Sequence, residues 1–217
     1  MQIHFLVEEP SMKALLERLL PRIFPDDDCQ VFDYRSKEQL LIHLPQRLKG
    51  YADMIKRAGY ENLRIVVLID RDRDDCHNLK NQLEQYAWAA ELTTLSTARP
   101  STTSAPMGLF HVVNRIVCEE LEAWYFGDPV ACETAYPRLK RKNFTKSHLE
   151  APDSIVGTWE AFGRTLYKAG HLPANPPNHR WKYEAADVIG AYLDPDRNTS
   201  PSFQAFIAGI RAIKTAS

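Results

Sequence analysis

Leu63 to Asp70 reads LRIVVLID and runs directly into Arg71-Asp72-Arg73-Asp74-Asp75. The run is apolar almost throughout and rich in β-branched residues, the composition of a strand covered on both faces. Such strands belong to parallel sheets sandwiched between helices, so this segment sets the fold class.

Upstream, Gln2 to Val7 reads as a second buried strand. Ser11 can cap a helix whose apolar positions Met12, Leu15, Leu16 and Leu19 share one face. Cys29 to Tyr34 is a short strand candidate. A helical region follows, with Leu40, Leu41, Leu44, Leu48, Tyr51, Ile55 and Ala58 on a rough stripe, and Pro45 must kink it or begin a new helix.

Downstream, a helix is predicted from about Asp75 to Ala90, with Leu79, Leu83, Tyr86, Ala87 and Ala90 inward. Thr93 to Pro106 is rich in Ser, Thr and Pro and reads as a loop. His111 to Cys118 is another strand candidate running into a helical EELEAWYF. Asp128-Pro129 has the form of an N-cap followed by proline at the first helical position. Further helices are predicted over Asp153 to Lys168, closed by Gly170, and over Lys182 to Leu193. His171 to Arg180, with three prolines, must be irregular. Ser200-Pro201 opens a last helix with Phe203, Phe206, Ile207, Ile210 and Ile213 on one face.

Strand–helix alternation in the first half predicts an α/β fold, a mainly parallel sheet with helices on both faces. The second half is mostly helical. A soft boundary near Gly127 separates residues 1–127, which carry the acidic clusters, from a helical extension, 128–217, packed on them; the whole can also be a single domain.

The 217 residues suffice for one sizeable core or a core with an appendage. A net charge of −1 argues against a wholly basic nucleic-acid coat but leaves room for a local basic groove. No stretch is long and apolar enough to cross a bilayer. The opening apolar run stops at Glu8 and Glu9 and does not read as a signal peptide. Cys29, Cys76, Cys118 and Cys132 are widely spaced, so reduced thiols in a cytoplasmic protein are expected and a zinc site is not.

Acidic clusters follow three of the predicted strands: Glu8-Glu9, Asp70 to Asp75, and Glu119-Glu120-Leu121-Glu122. Parallel strands place all three at the carboxyl edge of the sheet, where open α/β sheets bind ligands. Carboxylates gathered there repel one another, and a hard cation such as Mg²⁺ relieves the conflict. Asp70 and Asp72, two apart in an extended segment, can point to the same side. Asp74 and Asp75 fit better as helix caps. Capping and salt bridging are the plain alternatives for each acid taken singly.

These residues carry a resemblance. LVEEPS at Leu6 to Ser11 resembles the glutamate motif of toprim domains, the topoisomerase–primase catalytic fold, and VVLIDRDRDDC resembles their DxD motif. VEEPS, DRDRDDC with Lys80 after it, CEELEAWYFGD and KYEAADVIGAYLDPDRNTSPSFQAF together resemble an uncharacterised bacterial family grouped with the toprim-like folds, over nearly the whole chain. The resemblance implies that Glu8 is a general acid/base or metal-positioning group. It implies that Asp70 and Asp72 bind Mg²⁺ (Mn²⁺ as a substitute), with Glu122 as a further carboxylate and Glu119 as its competitor. Toprim domains usually have glycine after the glutamate; Glu9 stands there instead, so the loop is expected to differ or to admit an extra carboxylate. Related domains occur in nucleases, primases, topoisomerases and partners of bacterial defence ATPases. With neither a topoisomerase tyrosine motif nor a primase zinc motif, a nuclease or phosphoryl-transfer role on nucleic acid remains. No GxxxxGK[ST] occurs, so ATP hydrolysis would come from a partner subunit.

Candidate phosphate contacts are Arg71 and Arg73, the run Arg138-Leu139-Lys140-Arg141-Lys142 with Lys146, and His179, Arg180 and Lys182. The basic run reads first as a solvated face. Lys182 is singled out because lysine at a helix head opposes the dipole. Trp181 and Tyr183 can stack bases or pack in the core; Trp124 and Tyr125 read as packing residues. Two other function classes compete: a non-catalytic module that binds nucleic acid or protein, and a DxD phosphatase or sugar-nucleotide transferase; a phosphatase would use Asp70 as its nucleophile.

Overall fold

The computed structural model describes residues 1–58, 62–98, 109–174, 176 and 180–215. Four strands, β1 (Gln2–Val7), β2 (Asp28–Asp33), β3 (Leu63–Asp70) and β4 (Val112–Val117), form one sheet in the order β2-β1-β3-β4, with every pair parallel. The predicted strands are thus found, and β3 is buried at every residue. Its continuous apolar run is explained by helices on both sides. On one face, Ile3, Phe5, Val7, Val66 and Leu68 share an apolar cluster with α1 (Pro10–Ile23). On the other, α2 (Lys37–Ala58) and α3 (Cys76–Ala89) cover Leu6, Ile65, Val67 and Ile69.

Two local expectations change and one narrows. The cap of α1 is Glu9, not Ser11: Pro10, with its φ preset, takes the first helical position and moves the start forward. Of the two alternatives at Pro45, a new helix does not begin there: α2 continues through the proline, with Leu40, Leu44, Leu48 and Tyr51 buried along a face that spans it. EELEAWYF is helical only from Ala123, since Glu119 takes positive φ (61°) and turns the chain after β4.

The stretch read as a loop after Thr93 carries a bridge from Thr94 to Val112 and the short α4 (Leu95–Ala98); the rest of it lies outside the described residues. After β4 come α5 (Ala123–Gly127), α6 (Pro129–Ala135), α7 (Lys146–Glu150), α8 (Thr158–Lys168), α9 (Arg180–Gly190) and α10 (Pro201–Thr215). Asp128 caps α6 as predicted, its side chain accepting from the Ala131 amide. The helix predicted from Asp153 is broken: a 3-10 turn, Pro152–Ser154, precedes Gly157 at φ 64°, and α8 starts after it. α9 packs on α1 and α10 on β4. The predicted inward face of α10 is buried at every named position. One apolar cluster runs from β1 and α1 through Trp124, Tyr125 and Phe126 to α9 and α10. No described helix is long and apolar enough to cross a membrane.

Candidate functional site at the carboxyl edge of the sheet

In the order β2-β1-β3-β4, the chain leaves β1 toward β2 and leaves β3 toward β4. The connections therefore diverge between β1 and β3, which opens a crevice at their carboxyl ends. Glu8 follows β1 and Asp70 ends β3, so both stand at this point. The Asp70 amide donates to Glu8 Oε2 at 3.1 Å. Both residues are buried, and Asp70 Oδ1 has no hydrogen-bond partner. Burial raises the Glu8 carboxyl to about 7, opposed by the Asp70 amide and reinforced by the Asp72 charge. Asp70 is raised well above the ordinary carboxylate range, first by burial and then by the charges of Glu8, Glu9, Glu122 and Asp72.

Glu122 joins from the turn before α5. It is fully buried, neither carboxylate oxygen has a hydrogen bond, and burial lifts it to about 7. The charge opposing that shift is Lys182 on α9, whose Nζ lies 3.9 Å from Glu122 Oε1 and 3.7 Å from Glu9 Oε1. Lys182 also sits over the Trp159 ring, 5.7 Å from its centroid. Burial works against the ammonium, but Glu122, Glu9 and Asp70 raise its pKa overall. The lysine flagged for opposing its helix dipole thus answers an acidic cluster. Glu9 itself lies in ordinary extended backbone (φ −132°), so its place in the glycine position carries no strain; its carboxylate accepts from Ser11 Oγ.

Asp72 is near the crevice but engaged elsewhere. It has φ 51°, its amide donates to the Glu119 carbonyl, and its Oδ2 is 2.6 Å from Lys37 Nζ. Lys37 also holds Asp74 Oδ2 at 3.0 Å and the Arg71 carbonyl at 2.9 Å, which fixes the whole Arg71–Asp74 loop. The sequence reading missed Lys37, although it stands in the first turn of α2, the same unfavourable dipole position that drew attention to Lys182. Glu119 pairs with Arg71 across the β3 and β4 ends. Glu120 caps α8, accepting from Thr158 Oγ1 at 2.8 Å and from the Trp159 amide at 3.0 Å. Asp75 caps α3 as expected. Trp124 and Tyr125 are buried packing residues, the indole donating to Ser202 Oγ.

Among the basic candidates, Arg73 is exposed. Arg180 is exposed and pairs with Glu184. Trp181 is buried, whereas Tyr183 is half exposed. Arg138, Lys140, Arg141, Lys142 and Lys146 are all exposed, as a solvated face requires. His179 lies outside the described residues.

The carboxylates converge as interlocking pairs. Among the described residues, no three acids, histidines or cysteines stand ready to share one ion. The donor set still suits a hard cation. It is all oxygen, it includes buried oxygens without partners, and Mg²⁺ commonly takes only one or two carboxylates with water or phosphate in its other positions.

No curated protein and no solved structure matches the chain. One family model does, over residues 7–211, which include every residue of the acidic crevice. The chain therefore belongs to the family described as Domain of unknown function (DUF4276).

Proposed function

We propose that the chain is a Mg²⁺-dependent, toprim-like phosphodiester hydrolase acting on nucleic acid, in bacterial defence, beside an ATPase subunit. One observation carries the reading: Glu8 and Asp70 are buried side by side at the divergence of β1 and β3, with Asp70 Oδ1 lacking any protein partner. Burying like charges together destabilises a fold unless protonation, a cation or a ligand offsets it, and a hard cation is the offset that leaves both acids ionised. The resemblance of LVEEPS and of DRDRDDC to the two toprim motifs supports the same assignment.

Glu8 and Asp70 would hold the ion, with Asp72 added once released from Lys37, and Glu122 lies close enough to join electrostatically. Bound Mg²⁺ supplies water activation and charge neutralisation in phosphodiester hydrolysis. In the metal-free chain Glu8 stands at about 7, the range of a group that takes or gives a proton near neutral pH; as a ligand of the ion it would instead be held ionised. Lys182, 3.9 Å from Glu122, and Arg71, next in the chain to Asp70, are the phosphate contacts this reading assigns, each giving up its present carboxylate partner to do so.

A second reading has its own support. Lys37 and Lys182 already neutralise part of the cluster, as suits a non-catalytic module binding nucleic acid or protein. Labelled single- and double-stranded DNA and RNA, incubated with Mg²⁺ or Mn²⁺, separate the two. Metal-dependent cleavage lost in Glu8→Gln and in Asp70→Asn is expected of the hydrolase. Absence of both cleavage and calorimetric metal binding would leave the binding module.

A further inference from the structure

Away from the acidic crevice, a pocket of about 540 Å³ opens between α2 and the sheet edge at β2. His4, Tyr34, His43, Arg47, Tyr51 and Met54 line it, and no lining residue is acidic, in a chain with 28 Asp and Glu. The volume is in the range of small-molecule sites.

Its polar groups form an ordered chain of donors. Arg47 Nε–H donates to Tyr51 Oη at 3.2 Å, and the guanidinium lies 5.0 Å from the Tyr51 ring centroid and 5.1 Å from that of Phe32. Tyr51 Oη is 3.0 Å from His4 Nδ1. With its oxygen accepting from Arg47, the Tyr51 hydroxyl is satisfied by donating to His4, which places the imidazole proton on Nε2. Burial, and then the Arg47 charge, lowers the His4 pKa and keeps the ring neutral. Neither terminal nitrogen of Arg47 has a hydrogen-bond partner among the described residues. The pocket therefore offers guanidinium and imidazole N–H donors, no carboxylate, and the stacked Tyr34 and His43 rings, 6.4 Å apart. This chemistry suits a flat aromatic ring bearing an anionic group.

We propose that this pocket binds a mononucleotide, its phosphate on Arg47 and its base against Tyr34 and His43. The site is separate from the acidic crevice and does not depend on the function assigned there.

Gly50 provides a test that spares the fold. It lines the pocket within α2, and a Cβ added there meets nothing within 4 Å. Leucine at this position favours the helix while filling the pocket mouth. Calorimetry with adenosine monophosphate is done in chelator, so that no cation links phosphate to the acidic crevice. Saturable binding is expected for the wild-type chain, weakened at least tenfold in both Gly50→Leu and Arg47→Gln. Adenosine and ribose 5-phosphate, each lacking one half of the ligand, are expected to bind at least tenfold more weakly. No binding by the wild type, undiminished binding by Gly50→Leu, or equal binding of either half-ligand would overturn the proposal.

Discussion

Two buried acids of this chain differ in one respect that sets their behaviour. Asp128 is fully buried yet satisfied: Arg197 donates to both its oxygens at 2.8 and 2.9 Å, and the Ala131 and Asp194 amides complete the set. Glu122 is equally buried, with no hydrogen bond and one lysine at 3.9 Å. In the fold it titrates at about 7, against an ordinary 4.5. Between those values the folded chain keeps a proton that the unfolded chain gives up. The stability linked to Glu122 is therefore full below about pH 4.5 and lost as pH rises to about 7, a change on the order of 3 kcal/mol. Urea unfolding in chelator is expected to show wild type losing stability relative to Glu122→Gln across that window. A difference that stays constant from pH 4 to 8 would contradict the assignment. Lys37 poses the opposite question. Its partners Asp72 and Asp74 are about half exposed, so Lys37→Met should cost less than about 1 kcal/mol in stability. It should also free Asp72 and tighten Mn²⁺ binding several-fold by calorimetry; unchanged or weaker binding would show that Lys37 does not compete with the ion.

The elements that present these residues depend on close backbone contacts as much as on apolar faces. α9 carries Lys182 and lies against α1 at Gly190, where a Cβ would stand 2.8 Å from the Leu15 carbonyl oxygen. The Arg18–Asp187 pair ties the same two helices. Helix propensity alone predicts that Gly190→Ala gains about 0.5–1 kcal/mol. The contact reverses the sign: we expect a loss of about 1–3 kcal/mol in urea unfolding, as for other overpacked cores. Gly50→Ala, in open space on α2, is the matched control and should gain up to about 1 kcal/mol. A stabilised Gly190→Ala would mean that α9 shifts freely on α1. At this scale much was legible in the sequence. The strands fall within a residue of their predicted ranges, most plainly β1 and β3, because a buried strand must be apolar on both faces. At Pro45 a local reading leaves a new helix open, whereas burial of Leu40, Leu44, Leu48 and Tyr51 holds α2 together across it. The breaks at Glu119 and Gly157 depend on positive φ, which a pattern of apolar spacing does not register.

Across the whole molecule, the sequence placed Glu8 and Asp70 at one sheet edge because parallel strands leave little choice. It did not show that Asp72 would turn to Lys37, or Glu119 to Arg71, since those pairings depend on how two loops cross. Nor did composition show how the two halves of the chain share a core. Leu15, Leu16 and Leu19 of α1 are buried in the cluster that holds Ala185, Ala186 and Ile189 of α9, and α10 packs on β4. Lys182 reaches the acids only because α9 is docked in that cluster. A fragment ending at Gly127 would keep all four strands but bare the α1 face, β4 and Trp124, which packs between Phe203 and Phe206. A sheet stripped on one face loses much of the apolar burial that offsets chain entropy. We therefore expect the 1–127 fragment to show no cooperative urea transition by circular dichroism or tryptophan fluorescence, while the full chain unfolds with coincident transitions by both probes. A cooperative transition in the fragment would establish two independent cores and make the helical half an addition to a self-sufficient acidic domain.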